Sequence, residues 1–383
     1  MASQRFSHIK IQWLLFSPLI GVAIIYLFHG FSNLLSHPTS ILPTDLALRY
    51  HQANDLIIDK INVYQQTAHA QYPPSTFLFL SPLTHFSPYE LMDEWWAILH
   101  ILSLFLSVLL LNKLFPQKEK TYLIIASLLA FHSIPHAMGV GQISVIMTGF
   151  LMGSLYFLKF KSGILYKALG IILLTFALGK YSLMIPIALV LLIDEELQIP
   201  TLLSIGVNIV LSYLVLLRVD SSIPEYIQLL LSNSSETQQL GTIDIQAIAG
   251  LLNAPDLFNL IGPLIIIAAF TIIIITYRKK LTLWDQLAIA SIVARFFIYH
   301  NHYDNIILIF VMVALLKKYT LSKDFIKNRE FVLFLLTVFS LIIPARFLIW
   351  DAPFYGFFLI FQLTLWVYIP FFIIRTRLNK AYH

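Results

Sequence analysis

Apolar runs of about 20 residues recur from one end of this chain to the other, most of them closed by a short basic cluster. A helix of that length crosses the roughly 30 Å hydrocarbon core of a bilayer and satisfies its own backbone donors and acceptors where no water is present. Composition agrees: 12% of the 383 residues are charged, against about 25% in a soluble globule. The sequence therefore specifies an all-α, polytopic transmembrane bundle. It holds no cysteine, which excludes disulfides, iron–sulfur clusters, thiolate zinc sites and a cysteine nucleophile.

Basic residues orient the spans. The first run, residues 11–31, follows Arg5 and Lys10 and is too long for a signal-peptide core, with no small-residue cleavage site close behind. It reads as a retained span whose N-terminus is cytoplasmic. Later runs end at Lys113, Lys118 and Lys120; at Lys159, Lys161 and Lys167; at Arg278, Lys279 and Lys280; at Lys317, Lys318, Lys323, Lys327 and Arg329; and at Arg375, Arg377 and Lys380. Placing all of these inside puts 19 of the 25 basic residues on one side.

Parity settles the ambiguous stretches. Residues 76–86 are too short to span and read as a re-entrant or interfacial helix before the return span at 95–112. Residues 168–193 must cross twice, as a short-armed hairpin with its apex at Gly179-Lys180, or Arg278 to Lys280 would fall outside. That places the acidic triplet Asp194, Glu195 and Glu196 inside. The expectation is about twelve spans in one transmembrane domain over 1–383, both termini cytoplasmic, with larger outer segments at 32–95 and 219–255. Residues 222–246 read either as a surface-lying amphipathic helix or as a connector.

Ionisable groups at membrane depth are costly, so each is a functional candidate. By this topology Asp45, Arg49, His132, His136, Gln142, Lys180, Arg295, His300, His302 and Asp304 collect at the outer ends of the spans. Asp45 reads either as a helix cap or local ion pair with Arg49, one turn on, or as a general base held at the membrane face. Lys180 reads as a snorkelling lysine or as a point charge for a phosphate, and if it is submerged it needs a counter-anion or a wet cavity. His300 and His302 have the spacing of metal ligands on a strand but would diverge on a helix, and no third ligand is evident; otherwise they are hydrogen-bonding or interfacial histidines. Gly139 to Gln142 marks a turn, Tyr72-Pro73-Pro74 a helix start, and His132 and His136 read as structural. No Walker motif, dinucleotide fingerprint or hydrolase elbow occurs. The +5 net charge reports orientation and is no nucleic-acid footprint.

The order of these elements resembles glycosyltransferase family 87, a branch of the GT-C membrane glycosyltransferases. The matching positions are Asp45, Tyr50, Tyr64, Tyr72-Pro73-Pro74, Gly141-Gln142, Lys180 and Tyr299-His300-Asn301-His302. The chain departs from the family pattern at Ser144, where asparagine is usual, and in having no proline between Lys180 and Pro186. The resemblance implies a multi-pass enzyme of a bacterial inner or plasma membrane, its active site facing the periplasm or exterior. Its donor would be a polyprenyl-phosphate sugar such as mannose, its acceptor a glycan or glycolipid hydroxyl. It further implies that Asp45 is the base, that Lys180, His300 and His302 hold the donor phosphate, and that Arg49, Tyr72, Gln142 and Arg295 contact substrate. No cofactor and no metal are expected. A transporter or flippase is the competing class, since it too would carry intramembrane charges and broken helices.

Overall fold

The computed structural model describes residues 2–36, 44–66, 72–86, 89–236, 256–297, 301–318, 328–343 and 355–380. Among them the regular elements are helical. In chain order the α-helices are α1 Ala2–Leu35, α2 Thr44–Asn54, α3 Val63–Gln66, α4 Pro74–Phe86, α5 Met92–Leu114 and α6 Lys118–Leu129. Next come α7 Ser133–Val140, α8 Ser144–Phe160, α9 Ile164–Ala177, α10 Tyr181–Ile193, α11 Gln198–Arg218 and α12 Ile223–Glu236. The last are α13 Asp256–Tyr277, α14 Leu283–Phe297, α15 Ile309–Lys318, α16 Arg329–Ile342 and α17 Tyr355–Lys380. A 3₁₀ segment, His302–Leu308, leads into α15.

Among the described residues four stretches are long and apolar enough to cross a membrane: Ser17–Leu35, Met92–Leu114, Gln198–Arg218 and Gly356–Asn379. The pair α6 and α7 forms a further candidate, bent by 40°. The sequence suggests an unbroken run over 121–134, whereas the helix stops at Leu129 and restarts at Ser133. Pro135 is the physical reason: it has no N–H to give back, and its ring meets the carbonyl four residues earlier. Four shorter apolar helices, Ser144–Phe160, Ile164–Ala177, Tyr181–Ile193 and Ile261–Tyr277, complete the apolar set.

The core forms around α15. Every residue from Tyr303 through Leu316 is buried, as expected of a helix apolar on all sides. Around it pack α6, α14, α16 and the 3₁₀ segment, which also touches α7, α8 and α14. A second tight seam joins α5 to α8. Gly149 makes this seam possible, because a Cβ there would lie 2.5 Å from the Ser103 carbonyl oxygen and 2.6 Å from its Cα. Ser103 Oγ fills the gap, donating to the carbonyl oxygens of Leu99 (2.7 Å) and Ile146 (3.3 Å).

Contacts at helix ends set relative directions. Lys180, just before α10, donates to Ser144 at the start of α8 (2.7 Å), and Lys159 at the end of α8 pairs with Asp194 just past α10 (2.9 Å). Helices α8 and α10 therefore run the same way and α9 returns between them, which is the hairpin geometry expected for 168–193. Lys159 also pairs with Glu196 (2.8 Å), so the acidic triplet meets a basic residue at that end. At the start of α14 the buried Asp285 accepts from Arg377 (2.8 Å) and pairs with Lys318 (3.2 Å), while Lys120 donates to the Leu316 carbonyl (3.2 Å). All these groups belong to the clusters that orientation assigned to one side.

Substituting Gly149 by Val should force α5 and α8 apart and cost about 1–3 kcal/mol of stability. Thermal unfolding of the purified protein in detergent measures this, and an unchanged midpoint would show that the seam does not depend on the glycine.

Candidate active site

Two clusters of polar side chains lie at the end of the bundle opposite the Asp285 and Lys159 contacts. The first is built on α2, which carries Asp45 in its first turn. Helix α7 ends at Gly141, whose φ of 75° is in the left-handed region, and the Gln142 N–H closes the turn on the Ala137 carbonyl (2.8 Å). A Cβ at Gly141 would meet the Leu46 nitrogen at 2.7 Å, so α2 and this turn are in backbone contact. That contact brings Gln142 beside Asp45: its Nε2 donates to Asp45 Oδ2.

A relay fixes the amide. Tyr72 Oη donates to Gln142 Oε1 (2.9 Å), which leaves the amide nitrogen to face the carboxylate. Tyr64 Oη in turn donates to the Tyr72 carbonyl (2.8 Å). Burial, then the neighbouring Tyr226, push the Tyr64 phenol well above its ordinary value, so it stays a donor. The Arg49 guanidinium, one turn along α2 from Asp45, stacks 4.4 Å over the Tyr72 ring and donates to Gln52 Oε1 (2.6 Å). Among the described residues Asp45 Oδ1 has no hydrogen-bond partner, and it belongs to a carboxylate that is only half-buried.

The second cluster sits where three helical breaks meet. Lys180, between α9 and α10, donates to Asp304 Oδ1 and to Ser144 Oγ, and Ser144 Oγ also donates to Asp304 Oδ1. Side-chain exposure is 7% for Lys180 and 2% for Asp304. Asp304 accepts through Oδ2 from the Asn301 N–H (3.3 Å), while the Asn301 side chain accepts from the His302 N–H (2.8 Å), so this carboxylate also caps the 3₁₀ segment. The Lys180 ammonium lies 5.0 Å over the Tyr303 ring.

The two clusters are joined on two sides. Helix α4 begins just after Tyr72, and Thr76 in its first turn donates to the Gly179 carbonyl (2.7 Å), next to Lys180. Opposite, His132 stacks on His136 (5.8 Å) and His136 on Tyr303 (5.7 Å), with His136 in the field of Asp45. Arg295 is fully buried near His302. The His302 Nδ1 is buried with no hydrogen-bond partner among the described residues.

Of the residues expected at the site, Asp45, Arg49, Tyr72 and Gln142 form the first cluster, Lys180 anchors the second, and Arg295 and His302 adjoin it. His300 lies outside the described residues. Sequence reasoning asked for a counter-anion to Lys180 but did not assign it to Asp304; it noted Ser144 only as a departure from the family pattern and passed over Tyr303. His136, read as structural, stands between the clusters. The available signal for Asp304 was its place three residues after Asn301, a capping spacing. Among the described residues no three of His, Asp and Glu converge to hold a metal ion.

The family model described as glycosyltransferase family 87 matches residues 70–323, more than half of the chain. No curated protein and no solved structure matches.

Replacing Gly141 by Ala should cost about 1–3 kcal/mol, because an L-residue is strained in that conformation and its Cβ would push α2 away. Thermal unfolding in detergent reads the loss, and full native stability would show that α2 does not bear on this turn.

Proposed function

The chain belongs to glycosyltransferase family 87, and from that premise we propose that it moves a hexose, mannose by the resemblance, from a polyprenyl-phosphate donor to an acceptor hydroxyl on the non-cytoplasmic side of the cell membrane. The observation that carries this reading is the placing at one end of the bundle of a carboxylate, Asp45, one oxygen of which has no hydrogen-bond partner among the described residues, and a buried ammonium, Lys180. A base for a hydroxyl and a cation for a phosphate are the two groups that such a transfer requires.

Depth supports a lipid-linked donor. Helices α8, α9 and α10 have 17, 14 and 13 residues, which is about 20–25 Å of helix against a hydrocarbon core of about 30 Å. Their site ends therefore lie below the membrane surface when their other ends sit at the opposite interface. A phosphate on a polyprenyl chain reaches that depth without its lipid leaving the bilayer. In this reading the bundle spans about twelve times with both termini cytoplasmic, and segments 32–95 and 219–255 face outward.

In the reaction, Asp45 Oδ1 takes the proton of the acceptor hydroxyl as its oxygen attacks the anomeric carbon. Gln142, oriented by Tyr72, holds the other carboxylate oxygen so that Oδ1 faces the acceptor. The bond from the anomeric carbon to the phosphate oxygen breaks on the opposite face, inverting configuration, and its electrons stay on the phosphate. Lys180, with His300 and His302, stabilises that developing charge. Arg49 and Arg295 contact the substrates. Of the two carboxylates, Asp45 is bonded by Gln142 and Asp304 by Lys180, a poor arrangement for a divalent cation, so in this reading the chemistry runs without a metal.

Asp45→Asn should lower transfer from polyprenyl-phosphate sugar about 10²–10⁴-fold in protein of normal abundance and stability. Wild-type rates in that variant would remove Asp45 from the reaction. Tyr72→Phe frees the Gln142 amide to flip and should lower kcat on the order of tenfold. Chelators should leave the rate unchanged; loss with EDTA and recovery with a divalent cation would contradict metal independence.

A further inference from the structure

Lys180 and Asp304 form a pair without net charge, an unexpected feature in a place that must attract a phosphate. Nor can Asp304 readily swing aside. Its Oδ1 receives both Lys180 and Ser144, and its Oδ2 receives the Asn301 N–H that starts the 3₁₀ segment. An anion arriving at Lys180 therefore meets an anchored carboxylate.

The charge change in the reaction gives that carboxylate a use. The donor is a phosphodiester and carries one negative charge. Transfer breaks the bond between the anomeric carbon and the phosphate oxygen, leaves the electron pair on oxygen, and puts the acceptor proton on Asp45. The departing polyprenyl phosphate is then a monoester bearing about −1.5 to −2 at pH 7. A site built of cations alone would hold this product more tightly than the donor and would stall.

We propose that Asp304 is a positioning residue that sets Lys180 in place and offsets its charge, so that the phosphate site releases polyprenyl phosphate after each transfer. This inference rests on the lipid-phosphate reading above. Ser144 serves the same end by bonding both members of the pair, which holds the ammonium at a fixed distance from the carboxylate.

The test is equilibrium binding of polyprenyl phosphate to the purified full-length protein in detergent, together with its inhibition of transfer. Asp304→Asn preserves the shape and removes the repulsion. It should bind polyprenyl phosphate on the order of tenfold more tightly, with lower donor KM, lower kcat and stronger product inhibition. Because an unpaired buried lysine destabilises, a second comparison uses a neutral pair. Lys180→Gln combined with Asp304→Asn should bind polyprenyl phosphate more tightly than Lys180→Gln alone. Unchanged or weaker affinity in Asp304→Asn, with no rescue in the double variant, would overturn the role given to Asp304. If the wild-type protein binds no polyprenyl phosphate at all, the donor reading itself fails, a result distinct from the previous one.

Discussion

The buried ion pair between Lys180 and Asp304 is the contact on which the site's geometry depends. Taking two charges out of water costs several kcal/mol for each ion, and the cost is recovered only where they meet with good geometry and further hydrogen bonds. Here the pair is completed by Ser144 and by the Asn301 N–H. Those four residues come from the α7–α8 turn, the α9–α10 break and the α14–α15 turn, so satisfying one lysine brings three helix breaks to one point.

The second constraint is steric. Gly141 lets the backbone of α2 approach the α7–α8 turn, and that approach determines which side chain meets Asp45. Gln142 is held at one end by the Tyr72 phenol and at the other by the carboxylate. Among the described residues this leaves one carboxylate oxygen bonded and the other without a partner, an asymmetry that suits the proposed general base. The same α4 start that carries Tyr72 also holds the Gly179 carbonyl through Thr76, so the Asp45 and Lys180 clusters share a frame.

Much of this was legible in the chain because lipid makes charge expensive. Asp45, Gln142 and Lys180 stood out as polar groups at outer span ends, and the structure gathers them although they are far apart in sequence. The basic clusters likewise meet at the other end through Asp285, Lys318 and Arg377. What could not be read were pairings set by packing. Asp304 was one of several acids available to Lys180, and only the turn before α15 selects it. Ser144, where the family usually has asparagine, looked like a departure, yet its hydroxyl bonds both ions. The break before Pro135 depended on whether the helix would kink or stop, which the proline alone does not decide. A transporter would need charges arranged along a path through the membrane, whereas Asp45 and Lys180 gather at one end of the bundle.

The central claim is that a lipid-phosphate sugar is consumed at this end of the bundle. The most direct measurement offers purified protein in detergent, with no sealed vesicle, a labelled polyprenyl-phosphate sugar or the matching nucleotide sugar, and follows label into an acceptor. The account requires transfer from the polyprenyl-phosphate donor, with polyprenyl phosphate as the co-product, and none from the nucleotide sugar. Transfer from the nucleotide sugar alone, or movement of label only across intact vesicles, would contradict it.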